Sequence, residues 1–520
     1  MAMKKIFVQT LLAAVSFSIM SCSKAYYEEK YGASAEEVEL YEFLEGEWEP
    51  VSYNEWGYDL IRDETTGEMV RVDDADSGPI PGSHPDYYIV RFENNGFGTC
   101  IAANDPELEW ILGLYTPYYV YDGNKLNFPL FYGDVADYVT IEKKGNDYMQ
   151  VSLDDVGYII DCDEHDGFFL KHNDSCKDYN YYTDFHQRVT FRRIRKVIVA
   201  TPPDGWMTYV KDNALLTQLS IPGTHASATF YGLHNDLTSL TQKAKIESQW
   251  AAGVRAFDFT VSGIGGLEFN GSQMNRSFED MIDVLREQLQ HYKQETAIVF
   301  VRPSENAYGA SFQQWKDYIG DIIEDLGDVA AVWRPEMTMR DARGRILFIM
   351  NEAYSWDERN ELMPGAMIRG YEGAMCICSM TGDSAETLYL QADKDMNDAE
   401  KLEAVLSNMQ KSMRFNDVDV TENCWMVNSL SAANDTYLAS AMNIFPMVNR
   451  FLFGAEVSRT INGEPLEKTW KKSDDGPLGI VFMDFATYDE FVEFEDLEIS
   501  PALFTEAIIE NNFKYTMKTR

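Results

Sequence analysis

One of the chain's seven histidines, His225, stands at the end of an apolar run in LLTQLSIPGTHASATFYGL. Polar residues close the other apolar runs of the C-terminal half in the same way. Asp258 and Thr260 end VRAFDFTV, Asn270 follows GLEF, and Arg302 follows TAIVFV. Asn351 and Glu352 close RILFIMNE, Asn428 ends CWMVN, and Asp484 follows GIVFM. An imidazole, carboxylates, a guanidinium and amides are the groups from which proton-transfer and anion-binding sites are built. One or two such residues would pass as strand caps. This many, all at strand exits, imply a single concave polar site.

The elements that must position them follow from the period of the sequence. After TPPDGW (201–206), a Pro/Gly linker, apolar strand runs alternate with helical stretches. SLTQKAKIESQWAAG, SFEDMIDVLREQLQHY, SFQQWKDYIGDIIEDLG, AEKLEAVLSNMQKSMR, DTYLASAMNIFPMVNRFLF and LFTEAIIENNF read as helices between the strands. Repeated strand–helix units over this length predict a parallel α/β fold, a TIM-type barrel spanning 207–520. In such barrels the C-terminal ends of the strands build the active face, where these polar residues fall.

LSIPGTHAS, then GVRAFDF, a later FNG and SFEDMIDVLREQLQHYKQETAIVF resemble the X domain of phosphatidylinositol-specific phospholipase C, in its bacterial, metal-independent branch. The likeness resumes at DARGRILFIMNE and GPLGIVFMDFAT. It implies a phosphoric diester hydrolase in which an inositol hydroxyl attacks phosphorus and the glycerol oxygen leaves on the opposite side. Such in-line displacement wants a base, an acid and a cation for the phosphoryl charge. On this resemblance His225 is the base and Asp484 the carboxylate that orients it. Arg302 falls where bacterial members often carry a Lys near the inositol, and Asp258 matches the acidic residue of the second strand. Arg255 of GVR matches a structural ion-pair residue. The chain departs from the family elsewhere. Ala226 replaces the Asp after the first histidine, Thr260 replaces an Arg, and Asn270 replaces the second histidine, the acid. The calcium-dependent branch would want Asn at 226 and acids at both 258 and 260, and only Asp258 fits. His234, Glu268 and Glu305 are the other titratable groups near the site in sequence; each reads more simply as a solvated surface residue, and His291 as a helix-end residue away from the site.

Residues 38–198 read as an antiparallel β-barrel: short aromatic and β-branched runs separated by Gly, Asn and Asp. Its opening, FLEGEWEPVSYN, resembles the Gly-x-Trp first strand of lipocalin-like barrels. DDADSGPIPGSHPD (73–86) reads as a long polar loop within it. The basic cluster Arg192, Arg193, Arg195 and Lys196 reads as structural, contacting the other domain or acidic loops of its own. Residues 1–21 have the charged and apolar regions of an export signal, and SIMSC resembles a bacterial lipobox with Cys22 as the lipidated residue. That resemblance implies a lipoprotein anchored in the cell envelope, at the outer membrane of a Gram-negative bacterium, with 22–37 as a tether; a plain secretory signal is the alternative. Export permits disulfides; Cys162 with Cys176 is the favoured pair, and no disulfide is the equal alternative. The cysteines form no metal-ligand pattern, and no cofactor is implied.

With 85 acidic against 44 basic residues, a net charge of −41, the chain is unsuited to nucleic acid. Three functional readings stay open. One puts the function in the N-terminal barrel, as a small-molecule binding module tethered at a cell surface. The other two concern the C-terminal barrel. The first is a tethered phospholipase C-like phosphodiesterase with altered or weakened catalysis. The second is a non-catalytic module binding a phospholipid headgroup or an inositol or sugar phosphate through Asp258, Asn270 and Arg302.

Overall fold

The computed structural model describes all residues except 1–26, 29–30, 64, 94–95, 105–111, 114, 129–137, 163–164, 172–180, 196–202, 234–238, 264, 305–309, 333–335, 352–365, 370–374, 380–384, 392–395, 415–424, 433–435, 459–464, 488–491, 495–496 and 500–501. Cys22, Cys176, Lys196, His234, Glu305 and Glu352 therefore lie outside the described residues. Two compact units are present, one of residues 1–200 with 493–499, the other of 201–492 with 500–520. The segment 493–499 thus groups with the N-terminal unit, although the sequence reading assigned it to the C-terminal one.

The N-terminal unit is an eleven-stranded antiparallel sheet. Its strands are β1 (Gly46–Arg62), β2 (Met69–Pro79), β3 (Tyr88–Phe92), β4 (Phe97–Ala103) and β5 (Tyr115–Pro117). They continue with β6 (Tyr119–Tyr121), β7 (Lys125–Asn127), β8 (Val139–Lys143), β9 (Tyr148–Cys162), β10 (His165–Lys171) and β11 (Tyr181–Arg195). The order β5-β4-β3-β1-β11-β9-β8-β7-β6 curls the meander so that β11 pairs with β1. Alternation sets the inward face: Trp48 on β1 and Met149, Val151 and Leu153 on β9 are all buried.

Two expectations are corrected in this unit. Residues 73–79 are not loop but part of β2, paired along β1 from Ser52–Pro79 to Arg62–Met69. Almost every β2 side chain is solvent-exposed, so no hydrophobic alternation marked the strand. The tether also ends earlier than residue 37. Tyr27 is fully buried, stacks on Tyr41 at 4.3 Å, and belongs to the same core as Trp48. A helix, Ala35–Leu44, starts behind a Ser34–Glu37 capping box. β11 also carries a bulge: Glu47 faces Arg195 and Trp48 faces Arg193, leaving Ile194 unpaired and exposed. The basic cluster serves this region. Arg193 lies 4.3 Å over the Trp48 ring and donates to the Phe43 carbonyl, while Arg192 and Arg195 pair with Glu49 and Glu47.

The C-terminal unit begins with β12 (Ser220–Thr224), β13 (Ala256–Val261), the hairpin β14 (Gly266–Phe269) and β15 (Ser272–Ser277), and β16 (Ala297–Pro303). β17 (Ala330–Val332), β18 (Ile346–Asn351), β19 (Ala366–Arg369), β20 (Met375–Ser379), β21 (Ala385–Gln391), β22 (Trp425–Ser429) and β23 (Gly479–Met483) follow. The sheet runs β12-β23-β22-β21-β20-β19-β18-β16-β13, and a β12–β13 pairing closes the ring. All neighbours in it are parallel except β20, which is antiparallel to both β19 and β21. Strand order follows chain order around the ring, as a TIM-type barrel requires. Helices Phe278–His291, Ala310–Leu326, Asp398–Arg414, Tyr437–Leu452 and Ala502–Asn511 connect or follow the strands.

Beneath the barrel, at the N-terminal strand ends, Arg255 and Glu295 form an ion pair at 2.8 Å with both side chains fully buried. The guanidinium also donates to the carbonyls of Trp250, Val254 and Asp204 and lies 3.8 Å over the Trp250 ring. Glu295 in turn accepts from the backbone of Met207 and Thr208, fastening the entry segment to the barrel floor. Removing one partner strands the other charge in a dry site. Glu295→Ala is therefore expected to cost about 3–5 kcal/mol in chemical denaturation of the C-terminal unit. A cost of ~1 kcal/mol or less, that of an exposed pair, would contradict this role.

Candidate functional site

Strand parity decides which polar residues meet. Ile221, Ala256, Ile298, Phe300, Ile480 and Phe482 belong to one buried core inside the ring. Successive side chains alternate faces, so the next same-face positions toward the strand exits are His225, Asp258 and Thr260, Arg302, and Asp484. The layer below must be thin at β12. A Cβ added to Gly223 would meet the Phe482 ring at 2.8 Å and the Ala256 Cβ at 3.0 Å, which accounts for the glycine in SIPGTH. Asn428 sits on the opposite parity. Its amide donates 2.9 Å to the Val405 carbonyl of helix Asp398–Arg414, so it belongs to the barrel wall and not to the site. Asn351 ends β18, and its side chain is not described.

β12 and β23 pair in register, Thr224 opposite Met483, and the His225 N–H continues the ladder to the Met483 carbonyl. The next residue on each strand is thereby brought together: His225 Nδ1 lies 2.9 Å from Asp484 Oδ1. A carboxylate oxygen can only accept, so in the neutral imidazole Nδ1 carries the proton and Nε2 the lone pair. Ser431 Oγ lies 3.0 Å from the same Nδ1. Asp484 is buried while His225 retains 17% exposure, an imidazole open on one side and anchored on the other.

Beside it, Arg302 pairs with one oxygen of Asp258 and donates 2.9 Å to Thr260 Oγ1. That Asp258 oxygen, Oδ2, also accepts the Ala226 N–H at 3.2 Å, which ties the acid–guanidinium pair to the His225 turn. Asp258 Oδ1 is buried, with no hydrogen-bond partner among the described residues. Arg302 is 29% exposed, so part of its fork faces the mouth.

The hairpin β14–β15 leaves the exit of β13, and Phe269 pairs with Ser272 across a two-residue turn. That turn is Asn270-Gly271, with φ of 48° and 77°, the left-handed pair that a type I′ hairpin demands. Phe269 packs edge-on to the His225 ring at 5.4 Å, and Tyr437, the first residue of helix Tyr437–Leu452, lies 5.9 Å from it. Asn270 Nδ2 is 3.5 Å from the Tyr437 hydroxyl. Burial pushes that hydroxyl above the usual tyrosine range; the Asp484 charge adds to the rise, and Asn270 and Arg302 oppose it. Nothing in the sequence marks Ser431 or Tyr437 as site residues: Ser431 lies just past the end of β22, and Tyr437 opens a helix whose placement over the mouth only the fold sets. Glu268, read as solvated, is instead buried on β14. His291 ends its helix exposed, with Nδ1 bonded to the Glu287 carbonyl. Among the described residues no three His, Cys, Asp or Glu side chains converge as metal ligands would.

The mouth holds backbone strain. Of the four non-glycine residues with positive φ among those described, Ala226, Asn270 and Phe485 are here. Ala226, at φ 43°, has no side chain that favours the left-handed region. It is held by Thr241 Oγ1, which donates to the carbonyls of both His225 and Ala226, while Gln242 donates to those of His225 and Met483. Strain concentrated where a network over-determines it is a mark of functional sites.

No family profile matches the sequence, and no curated protein matches it. Solved structures of bacterial phosphatidylinositol-specific phospholipases C are similar. Two variants from Staphylococcus aureus align over 60% of this chain and 98% of their own, at 18% and 16% identity and TM-scores of 0.45 and 0.47. The enzyme from Listeria monocytogenes aligns over the same shares, at 18% identity and a TM-score of 0.43.

Because Ala226 occupies a glycine-like conformation, Ala226→Gly is expected to raise the stability of the C-terminal unit by about 1 kcal/mol. Urea denaturation with a probe in that unit checks this. A loss of stability would mean that the turn does not hold the left-handed conformation in solution.

Proposed function

We propose that the C-terminal barrel is a phospholipase C-like phosphodiesterase acting on inositol phosphodiesters, with catalysis altered from that of the bacterial enzymes it resembles. The observation that carries this reading is His225, with Nδ1 fixed by Asp484 and Nε2 without a partner among the described residues, beside the partly exposed Arg302. In this mechanism Nε2 takes the proton of the inositol hydroxyl next to the phosphate. That oxygen attacks phosphorus, the bond to the leaving alkoxide breaks, and a cyclic phosphodiester forms. Arg302 offsets the charge that builds on the phosphoryl oxygens. Asp258 holds Arg302 through one oxygen. Asn270 adds an amide at the rim.

The departures at Ala226, Thr260 and Asn270 support the altered-catalysis part of the reading, since each replaces a charged or titratable group of the family pattern. Asn270 in particular is also what favours the second reading, a non-catalytic module for a headgroup or sugar phosphate. We place the barrel on a lipoprotein anchored through Cys22 in the cell envelope, at the outer membrane of a Gram-negative bacterium, with a lipocalin-like N-terminal barrel. Signal, lipobox and Gly46-x-Trp48 support those assignments.

The test is turnover of phosphatidylinositol and of a small inositol phosphodiester by the soluble chain from Lys24 onward, with and without calcium. A positioned base is worth ~10²–10⁴ in rate, so His225→Ala should lower turnover by that factor, independently of calcium. Turnover untouched by His225→Ala would rule the base out. Absence of turnover in both proteins, with headgroup binding by calorimetry, would establish the binding module instead.

A further inference from the structure

An in-line displacement based on His225 needs a proton donor for the leaving oxygen, and the residues around the imidazole restrict the choice. Asp484 and Ser431 both sit at Nδ1, on the anchored side of the ring. Asp258 is committed to Arg302 and to the Ala226 N–H. Asn270 has no titratable proton. Tyr437 is different: its ring flanks His225 together with Phe269, and its hydroxyl faces the Asn270 amide.

We propose that Tyr437 is the general acid of this site, with its hydroxyl oriented by Asn270. The inference rests on the phosphodiesterase reading and names a residue that reading leaves open. Asn270 Nδ2 can only donate, so at 3.5 Å it engages the lone pair of the Tyr437 oxygen and leaves the O–H free to point elsewhere. The left-handed turn at Asn270-Gly271 fixes where that amide is presented. Helix Tyr437–Leu452 fixes the phenol, its first turn capped by Thr436, whose side chain accepts from the Ala439 N–H. A buried hydroxyl held above the usual tyrosine range stays protonated at neutral pH, and an alkoxide is more basic than a tyrosinate, so the transfer runs toward the leaving group.

The step balances as follows. His225 Nε2 accepts the proton of the attacking hydroxyl, and the new P–O bond forms as the P–O bond to the leaving group breaks. The leaving oxygen takes the Tyr437 proton and departs as an alcohol. Imidazolium and tyrosinate remain, and a proton passes from the first to the second through water.

Leaving-group dependence separates this role from a structural one. An alkoxide needs the acid, while p-nitrophenolate leaves without it. The full chain, its Tyr437→Phe variant and its Asn270→Gly variant are assayed on the methyl and the p-nitrophenyl phosphodiesters of inositol. Glycine accepts the left-handed φ at 270, so that variant removes the amide without adding backbone strain. Tyr437→Phe is expected to slow the methyl ester by ~10²–10⁴ and to leave the p-nitrophenyl ester nearly unchanged. Asn270→Gly, which also removes the rim amide, is read by the ratio of the two rates: the methyl ester should lose more than the p-nitrophenyl ester. Equal slowing of both esters, in variants with unaltered thermal melting, would overturn the role of Tyr437 while leaving the base intact. If Tyr437→Phe does not fold, Asn270→Gly decides by the same criterion. No turnover of either ester by the unmodified chain would overturn the phosphodiesterase reading, and this inference with it.

Discussion

The site depends on the in-register pairing of the first and last strands of the barrel. His225 and Asp484 are 259 residues apart in sequence, and no local structure could bring them together. The ladder from Ser220–Gly479 to Thr224–Met483 does so, because parallel strands in register bring equivalent residues side by side. Barrel closure and tautomer selection are thus one event: a register shift by one residue would turn one of the two side chains to the other face. The lower end of β12 is secured just as firmly. Asn512 accepts the Ser220 N–H and donates to the Ser220 carbonyl, which lends the C-terminal segment a hold on the strand that carries the histidine.

A second layer of buried polar groups keeps the exit of β12 in its strained path. Ser227 Oγ donates to the Thr224 carbonyl and accepts the Asp258 N–H, and Gln249 spans Thr224, Ser227 and Ala244. Above them, Thr241 and Gln242 gather the carbonyls of His225, Ala226 and Met483, and the Phe485 N–H returns to the Thr241 carbonyl. Such a network is costly unless satisfied and rigid once it is. It explains how Ala226 and Phe485, neither suited to positive φ, are held on either side of the His225–Asp484 contact.

Much of this was legible in the sequence, for physical reasons that also mark where reading failed. Apolar runs ending in a polar residue located the strand exits, and parity then sorted them: His225, Asp258, Arg302 and Asp484 converge, whereas Asn428 faces the outer helix. A strand run buried on both faces has no alternation to reveal which residue points inward. β2 was missed for the converse reason, since a fully solvated edge strand needs no apolar residue at all. Tyr27 was hidden by its acidic neighbours. Ser431 reaches the imidazole from just past β22 and Tyr437 from the start of the helix that follows, so only tertiary structure could assign them.

The central claim is that this barrel mouth transfers a phosphoryl group to a hydroxyl of its own substrate. Phosphorus NMR of an inositol phosphodiester incubated with the protein tests it directly. The account requires the resonance of a cyclic phosphodiester to appear as the substrate declines. An acyclic monoester formed without that intermediate, or an unchanged spectrum at protein concentrations that saturate binding, would contradict it.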